Sequence, residues 1–160
     1  MKRLVVYYSL SGNTKEAAED IAKALDADLV RLDTVKPMPK SYAAQILVGG
    51  GQVAMNKIPK IKKIDADINA YDEIILGTPV WNSKGVPAVN AFLKDSNAAN
   101  KVKAVFIFSA GGDIKKCTDA LVTQLPNLKY TVSLLDKKHA DSVNNKSKIE
   151  GFVADIKAME

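Results

Sequence analysis

The chain has 160 residues, 47% hydrophobic and 26% charged, with 9 Gly and 6 Pro. That amount and mixture of residues suits one globular domain spanning 1–160, and it excludes disordered, collagen-like and coiled-coil chains. A single Cys117 leaves no internal disulfide, and a single His139 rules out a metal site built on several His or Cys ligands.

No stretch approaches the roughly 18 apolar residues of a membrane span. After Lys2 and Arg3 the apolar run is only Leu4 to Tyr8, too short for a signal-peptide core, so a cytoplasmic location is expected. The net charge of +5 arises from 21 Lys and 2 Arg against 18 acids. Nucleic-acid readers lean on the arginine fork, and an almost arginine-free surplus argues against that class. The densest basic run, Lys57, Lys60, Lys62 and Lys63, is followed by Asp65 and Asp67. It reads as a solvated loop rather than a docking patch.

Five short strand-like runs alternate with helical patterns, which predicts an α/β fold with a parallel sheet. The runs are Leu4–Tyr8, Leu29–Asp33, Glu73–Thr78, Ala104–Ser109 and Tyr130–Asp136. In the first helix Ile21 and Leu25 share a face with Ala17, Ala18 and Ala22, and Asn13 with Glu16 three residues later reads as a capping box. The crossover from Thr34 to Asp72 predicts a helix over Ser41–Val48, ended or frayed by Gly49-Gly50-Gly51. Val89, Phe92 and Leu93 mark a third helix, Cys117, Leu121 and Leu125 a fourth, and Ile149, Phe152, Val153 and Ile156 the last. No repeat, linker or domain boundary interrupts this series.

Strands covered on both faces read as continuous apolar runs, whereas edge strands admit polar alternation. Runs one, three and four are continuous and therefore central. Run two is broken by Arg31 and run five alternates, so these are edges. Short right-handed crossovers then favour the order 2-1-3-4-5, a three-layer doubly wound sheet. The winding reverses between strands one and three, which places a ligand crevice at their carboxyl ends.

The loop after strand one, Ser9-Leu10-Ser11-Gly12-Asn13-Thr14, runs straight into a helix. Gly12 permits close backbone approach, Ser9, Ser11 and Thr14 bring hydroxyls, and first-turn N–H groups aim outward at the positive end of the helix dipole. That combination suits a phosphate monoester and requires no cation inside the cradle. A response-regulator receiver would need acids after strand one and an Asp ending strand three, where Ser9, Ser11 and Thr78 stand. A low-molecular-weight tyrosine phosphatase would need Cys and Arg in the first loop, and a Walker loop is absent.

The first loop resembles the phosphate signature of the flavodoxin family, Ser/Thr-x-Ser/Thr-Gly-x-Thr. Leu76-Gly77-Thr78-Pro79-Val80-Trp81 is similar to that family's second flavin loop, continuing into Asn82 and Ser83. Ser109-Ala110-Gly111-Gly112-Asp113 is similar to the third. The resemblance spans essentially the whole chain. It implies noncovalent FMN, with its phosphate on the first loop and its ring between the second and third. Trp81 would then stack on the ring rather than serve as plain core, and Gly111 and Gly112 would offer unobstructed backbone N–H groups.

Three departures from the electron-carrier pattern stand out. The third loop lacks a second aromatic, the chain is basic, and Asn82 replaces the Gly that many carriers place after the aromatic. They shift the expectation toward an FMN oxidoreductase that passes electrons or hydride to a quinone-like or other small acceptor, with NAD(P)H as a candidate donor. The alternative is a one-electron carrier that docks to redox partner proteins. No nicotinamide-binding fingerprint is visible, and no oligomeric state follows. His139 reads as a solvated loop residue and Cys117 as helix packing; Tyr42 has no assigned role.

Overall fold

The computed structural model describes residues 1–39, 41–55, 58–81, 85–111 and 113–159. Five parallel strands run in the order β2-β1-β3-β4-β5: β1 Arg3–Tyr7, β2 Asp28–Arg31, β3 Glu73–Pro79, β4 Val102–Ser109 and β5 Tyr130–Leu135. The sheet order expected from the strand sequences is the order observed. β1, β3 and β4 are buried almost throughout, while β2 is mostly exposed, β5 is fully buried only at its carboxyl end, and both lie at the edges. Each strand lies within about two residues of its sequence-predicted run at either end.

Alternation along the central strands divides the core into two layers. Leu4, Val6, Ile74, Leu76, Val105 and Ile107 face one side, where α3 (Pro87–Phe92), α4 (Ser96–Lys101) and α5 (Lys115–Val122) bring Val89, Phe92, Ala98, Cys117 and Leu121. Val5, Tyr7, Ile75, Ala104 and Phe106 face the other, covered by α1 (Asn13–Leu25) and α6 (Asn145–Lys157) through Ile21, Leu25, Phe152 and Ile156. The predicted helix faces are thus the buried ones. Helix α4, which no pattern announced, is capped by Asp95, whose side chain accepts from the N–H groups of Asn97 and Ala98.

Two local expectations are corrected. Helix α2 runs Tyr42–Ala54, straight through Gly49-Gly50-Gly51. Three helical glycines cost about 1 kcal/mol each against alanine, but Gly49 is buried where a Cβ would lie 3.0 Å from the indole of Trp81. A tertiary contact that a side chain at this position would crowd overrides the local preference. At the start of α1 the N-cap is Gly12, at φ 100°, with no side-chain cap. Asn13 is instead the first helical residue, and its amide donates to Asp136 Oδ2 at 2.8 Å. Glu16 turns away to pair with Lys137.

Cys117 is 1% exposed, and burial pushes its thiol up to about 11. Folded protein should therefore react with a disulfide reagent at pH 8 only through unfolding, far more slowly than denatured chain. Between pH 9 and about 11 the unfolded thiol ionises while the folded one keeps its proton, so this group lowers stability as pH rises; in Cys117→Val that component disappears from the denaturation curve.

Gly77 pairs with Phe106 across β3 and β4, and a Cβ there would sit 2.2 Å from the Phe106 ring, itself fully buried. Gly77→Ala should cost about 1–3 kcal/mol of stability in urea denaturation. Adding Phe106→Leu should recover part of that loss.

Candidate functional site

Strand register brings the three sequence-predicted loops to one end of the sheet. Tyr7 pairs with Gly77, Pro79 with Phe108 and Ser109 with Leu135. Backbone bonds prolong this alignment past the strand ends: Tyr8 N–H donates to Gly77 at 3.0 Å and Val80 N–H to Phe108 at 2.8 Å. Ser9, Thr78 and Ser109 therefore all lie at the carboxyl edge of the central strands, and all three are buried.

Within the first loop, Ser9 Oγ accepts the Gly12 N–H at 3.1 Å, which closes a tight turn and leaves the serine proton free to donate. Thr14 is 2% exposed, beneath the loop, whereas Ser11 is exposed and Leu10 and Asn13 are half-buried. The left-handed Gly12 has open space where a Cβ would stand. Arg31, which the sequence pattern marks only as an edge-strand interruption, donates to the Ser9 carbonyl at 3.2 Å and pairs through Nε with Asp33 at 3.1 Å. A cation thus braces the loop through one of its carbonyls. Beside Ser9 and Leu10 a cavity of about 290 Å³ opens against Tyr8, Arg31 and Met38.

In the second loop the Thr78 hydroxyl donates to the Pro79 carbonyl at 3.0 Å, and Pro79, Val80 and Trp81 are half-buried. The Trp81 indole meets Tyr8 edge-on, ring centres 5.6 Å apart, and Gly49 of α2. Tyr8 is a neighbour that sequence reasoning missed; burial pushes its phenol above the usual range, opposed by the Arg31 guanidinium. Asn82 and Ser83 lie outside the described residues.

The third loop leaves Ala110 and Gly111 exposed, with nothing within 4 Å of a Cβ built on Gly111. Asp113 Oδ1 accepts from Lys115 N–H at 2.9 Å, so its carboxylate turns to the start of α5. Gly112 lies outside the described residues. His139 Nδ1 accepts from Asp141 N–H at 3.2 Å, starting a short 3₁₀ turn, as suits a solvated loop residue.

A five-stranded, doubly wound parallel sheet in the order 2-1-3-4-5, with three loops brought together at the carboxyl edge of its central strands, defines the flavodoxin-like class of α/β fold. The flavodoxin family profile matches residues 2–153, and the chain belongs to that family. No functionally curated protein matches it in sequence. Among solved structures, a flavoprotein from Lactobacillus acidophilus NCFM in complex with FMN is 25% identical, with a TM-score of 0.69 over 92% of this chain and 97% of its own. A protein from Bacteroides eggerthii DSM 20697, provisionally described as a flavoprotein, is 24% identical with a TM-score of 0.70, covering 94% and 97%. A flavodoxin-type, WrbA-like protein from Agrobacterium tumefaciens is 21% identical with a TM-score of 0.60, covering 97% and 96%.

Trp81 is the only tryptophan, so its emission reports this site alone. Gly49→Val should displace the indole and shift its emission maximum and near-UV circular dichroism, while far-UV signal stays close to wild type.

Proposed function

We propose that this protein binds FMN noncovalently at the carboxyl edge of β1, β3 and β4. It uses the flavin as an oxidoreductase toward a quinone-like or other small acceptor, with NAD(P)H as donor. The observation that carries the reading is the first loop: a left-handed Gly12, a buried Thr14 and a Ser9 whose hydroxyl proton is free, all at a helix N-terminus. FMN, when bound, supplies the redox chemistry, taking up electrons or hydride and returning them.

The residues divide that work. Ser9, Ser11, Thr14 and the N–H groups around Leu10 and Asn13 would hold the phosphate with hydroxyls and the helix dipole, while Gly12, whose own N–H is taken by Ser9, keeps the approach open. Thr78, Pro79, Val80 and Trp81, continuing to Asn82 and Ser83, flank one side of the ring. Ser109, Ala110 and Gly111, continuing to Gly112 and Asp113, flank the other. The open space at Gly12 and Gly111 fits such a group, because a side chain at either position would fill the approach. No second aromatic stands in the third loop, which leaves room for a reactant over the ring.

Adding FMN to apoprotein should quench Trp81 emission to a one-to-one end point. Thr14→Val should weaken that affinity about tenfold or more, the order expected for losing a hydrogen bond to a charged group. A colourless protein with no affinity for FMN by calorimetry would end the redox reading.

The six lysines of the Thr34–Ile64 segment, which also brings Gly49 against Trp81, favour the anionic reduced flavin. Redox titration of loaded protein is therefore expected to show both electrons entering in one wave, and NAD(P)H with a quinone should turn over without an added reductase. Two well-separated waves, with turnover only when a reductase is present, would instead assign a one-electron carrier.

A further inference from the structure

The segment from Thr34 to Ile64 holds six lysines and neither an acid nor an arginine, so the rest of the chain sums to a charge of −1. Inside it, residues 41–56 form an uncharged run between Lys40 and Lys57. Most of that run is α2, whose Gly49 is buried under Trp81 and Met38. Among the described residues the opposite face is apolar and bare. Leu47, Gly51 and Met55 succeed one another at four-residue steps along one stripe. Leu47 is 77% and Met55 68% exposed, Val48 beside them is exposed, and no atom lies within 4 Å of a Cβ built on Gly50 or Gly51. Val35 and Ile58, on the adjoining segments, are also exposed. The exposed Lys36, Lys60, Lys62 and Lys63 belong to those same segments, joined by the Thr34–Ile61 bridge and the Val35 N–H to Lys60 carbonyl bond of 2.8 Å. Met38 over Gly49, and Gln45 donating to the Pro39 carbonyl, tie them to α2.

From this surface we infer that α2 docks the protein peripherally onto an anionic lipid bilayer, its outer stripe entering the acyl boundary while the lysines meet headgroup phosphates. An exposed apolar patch of this kind marks an interaction site, and its surroundings select the occupant. A second copy of this face would oppose lysines to lysines. A specific protein partner would call for about one hydrogen bond per 100–200 Å² of interface, yet the described residues of the outward stripe present no polar side chain. A bilayer makes no such demand: apolar contact and attraction of Lys to anionic headgroups suffice. The lysine run that reads in sequence as a solvated loop is thereby the charged part of one docking face. The inference stands on this surface and not on the flavin reading.

The test is flotation of the full-length protein with vesicles of phosphatidylcholine and phosphatidylglycerol at three to one, against pure phosphatidylcholine. Binding is expected only to the anionic vesicles and should weaken in high salt. Leu47→Asp and Met55→Asp should each reduce partition at least tenfold, and Lys60→Gln and Lys62→Gln about fivefold each. All four positions are exposed, and unchanged circular dichroism and Trp81 emission will confirm folding. Met55→Cys carrying an environment-sensitive dye should blue-shift its emission on the anionic vesicles. Failure to float, equal binding to neutral vesicles, or binding indifferent to both aspartates overturns the proposal. So does a soluble dimer, or a complex with an acidic protein, that those aspartates abolish while vesicles are ignored. FMN titration of the same samples is read separately, so either inference can fail without the other.

Discussion

Everything in this molecule follows from three strands that must be dry on both faces. Leu4 to Val6, Ile74 to Leu76 and Ala104 to Ile107 are all 1% exposed or less. Neither side of the sheet can face water, so the connecting helices have to cover both. A chain that lays down its central strand first can do this only by winding outward one way, to β2, and then reversing across β1 to β3, β4 and β5. The reversal separates the crossovers leaving β1 and β3, and the loops that follow these strands border a crevice that neither helix layer fills. The site is thus a consequence of burying the sheet.

Glycines set how closely the parts approach, each by a different mechanism. Gly77 makes room for the Phe106 ring between β3 and β4, immediately before the second loop. Gly12 takes a left-handed conformation that turns the chain from Ser9 into α1. Gly49 contributes the flat patch of helix on which Trp81 rests. All three glycines lie in or against the loops at the carboxyl edge, so the least replaceable backbone positions and the candidate site coincide.

The architecture was legible in the sequence because it is written in patterns that burial enforces. Continuous Val5-Val6 and Ile74-Ile75-Leu76 runs could only be central, Arg31 could only mark an edge, and these two facts determine strand order. Loop positions followed from strand ends. What stayed illegible depended on partners distant in sequence. Asn13 has the chemistry of a cap, but Asp136 competes for its amide from 123 residues away. Gly49-Gly50-Gly51 has the chemistry of a turn, and nothing local reveals that an indole will lie against its first member. Likewise Arg31 signals its edge position in sequence but not its bond to the Ser9 carbonyl. Local propensity fails where a tertiary contact of comparable energy supplies the missing term.

Helix α2 joins these strands of argument because its two faces obey opposite requirements. Its inner side must be small enough for Trp81 to lie against Gly49, and its outer side carries Leu47, Val48 and Met55 into solvent without a compensating charge. A helix that is only a crossover would place lysines and glutamates on that outer stripe, where they stabilise at little cost. Here the lysines stand on the neighbouring segments instead, and the stripe keeps its bare apolar character. An α-helix is about 10 Å across. Whatever covers the outer face therefore lies about one helix diameter from the indole proposed to flank the flavin. One helix thus presents Leu47 and Val48 outward and Gly49 to the indole, so the proposed docking face and the second loop share a wall.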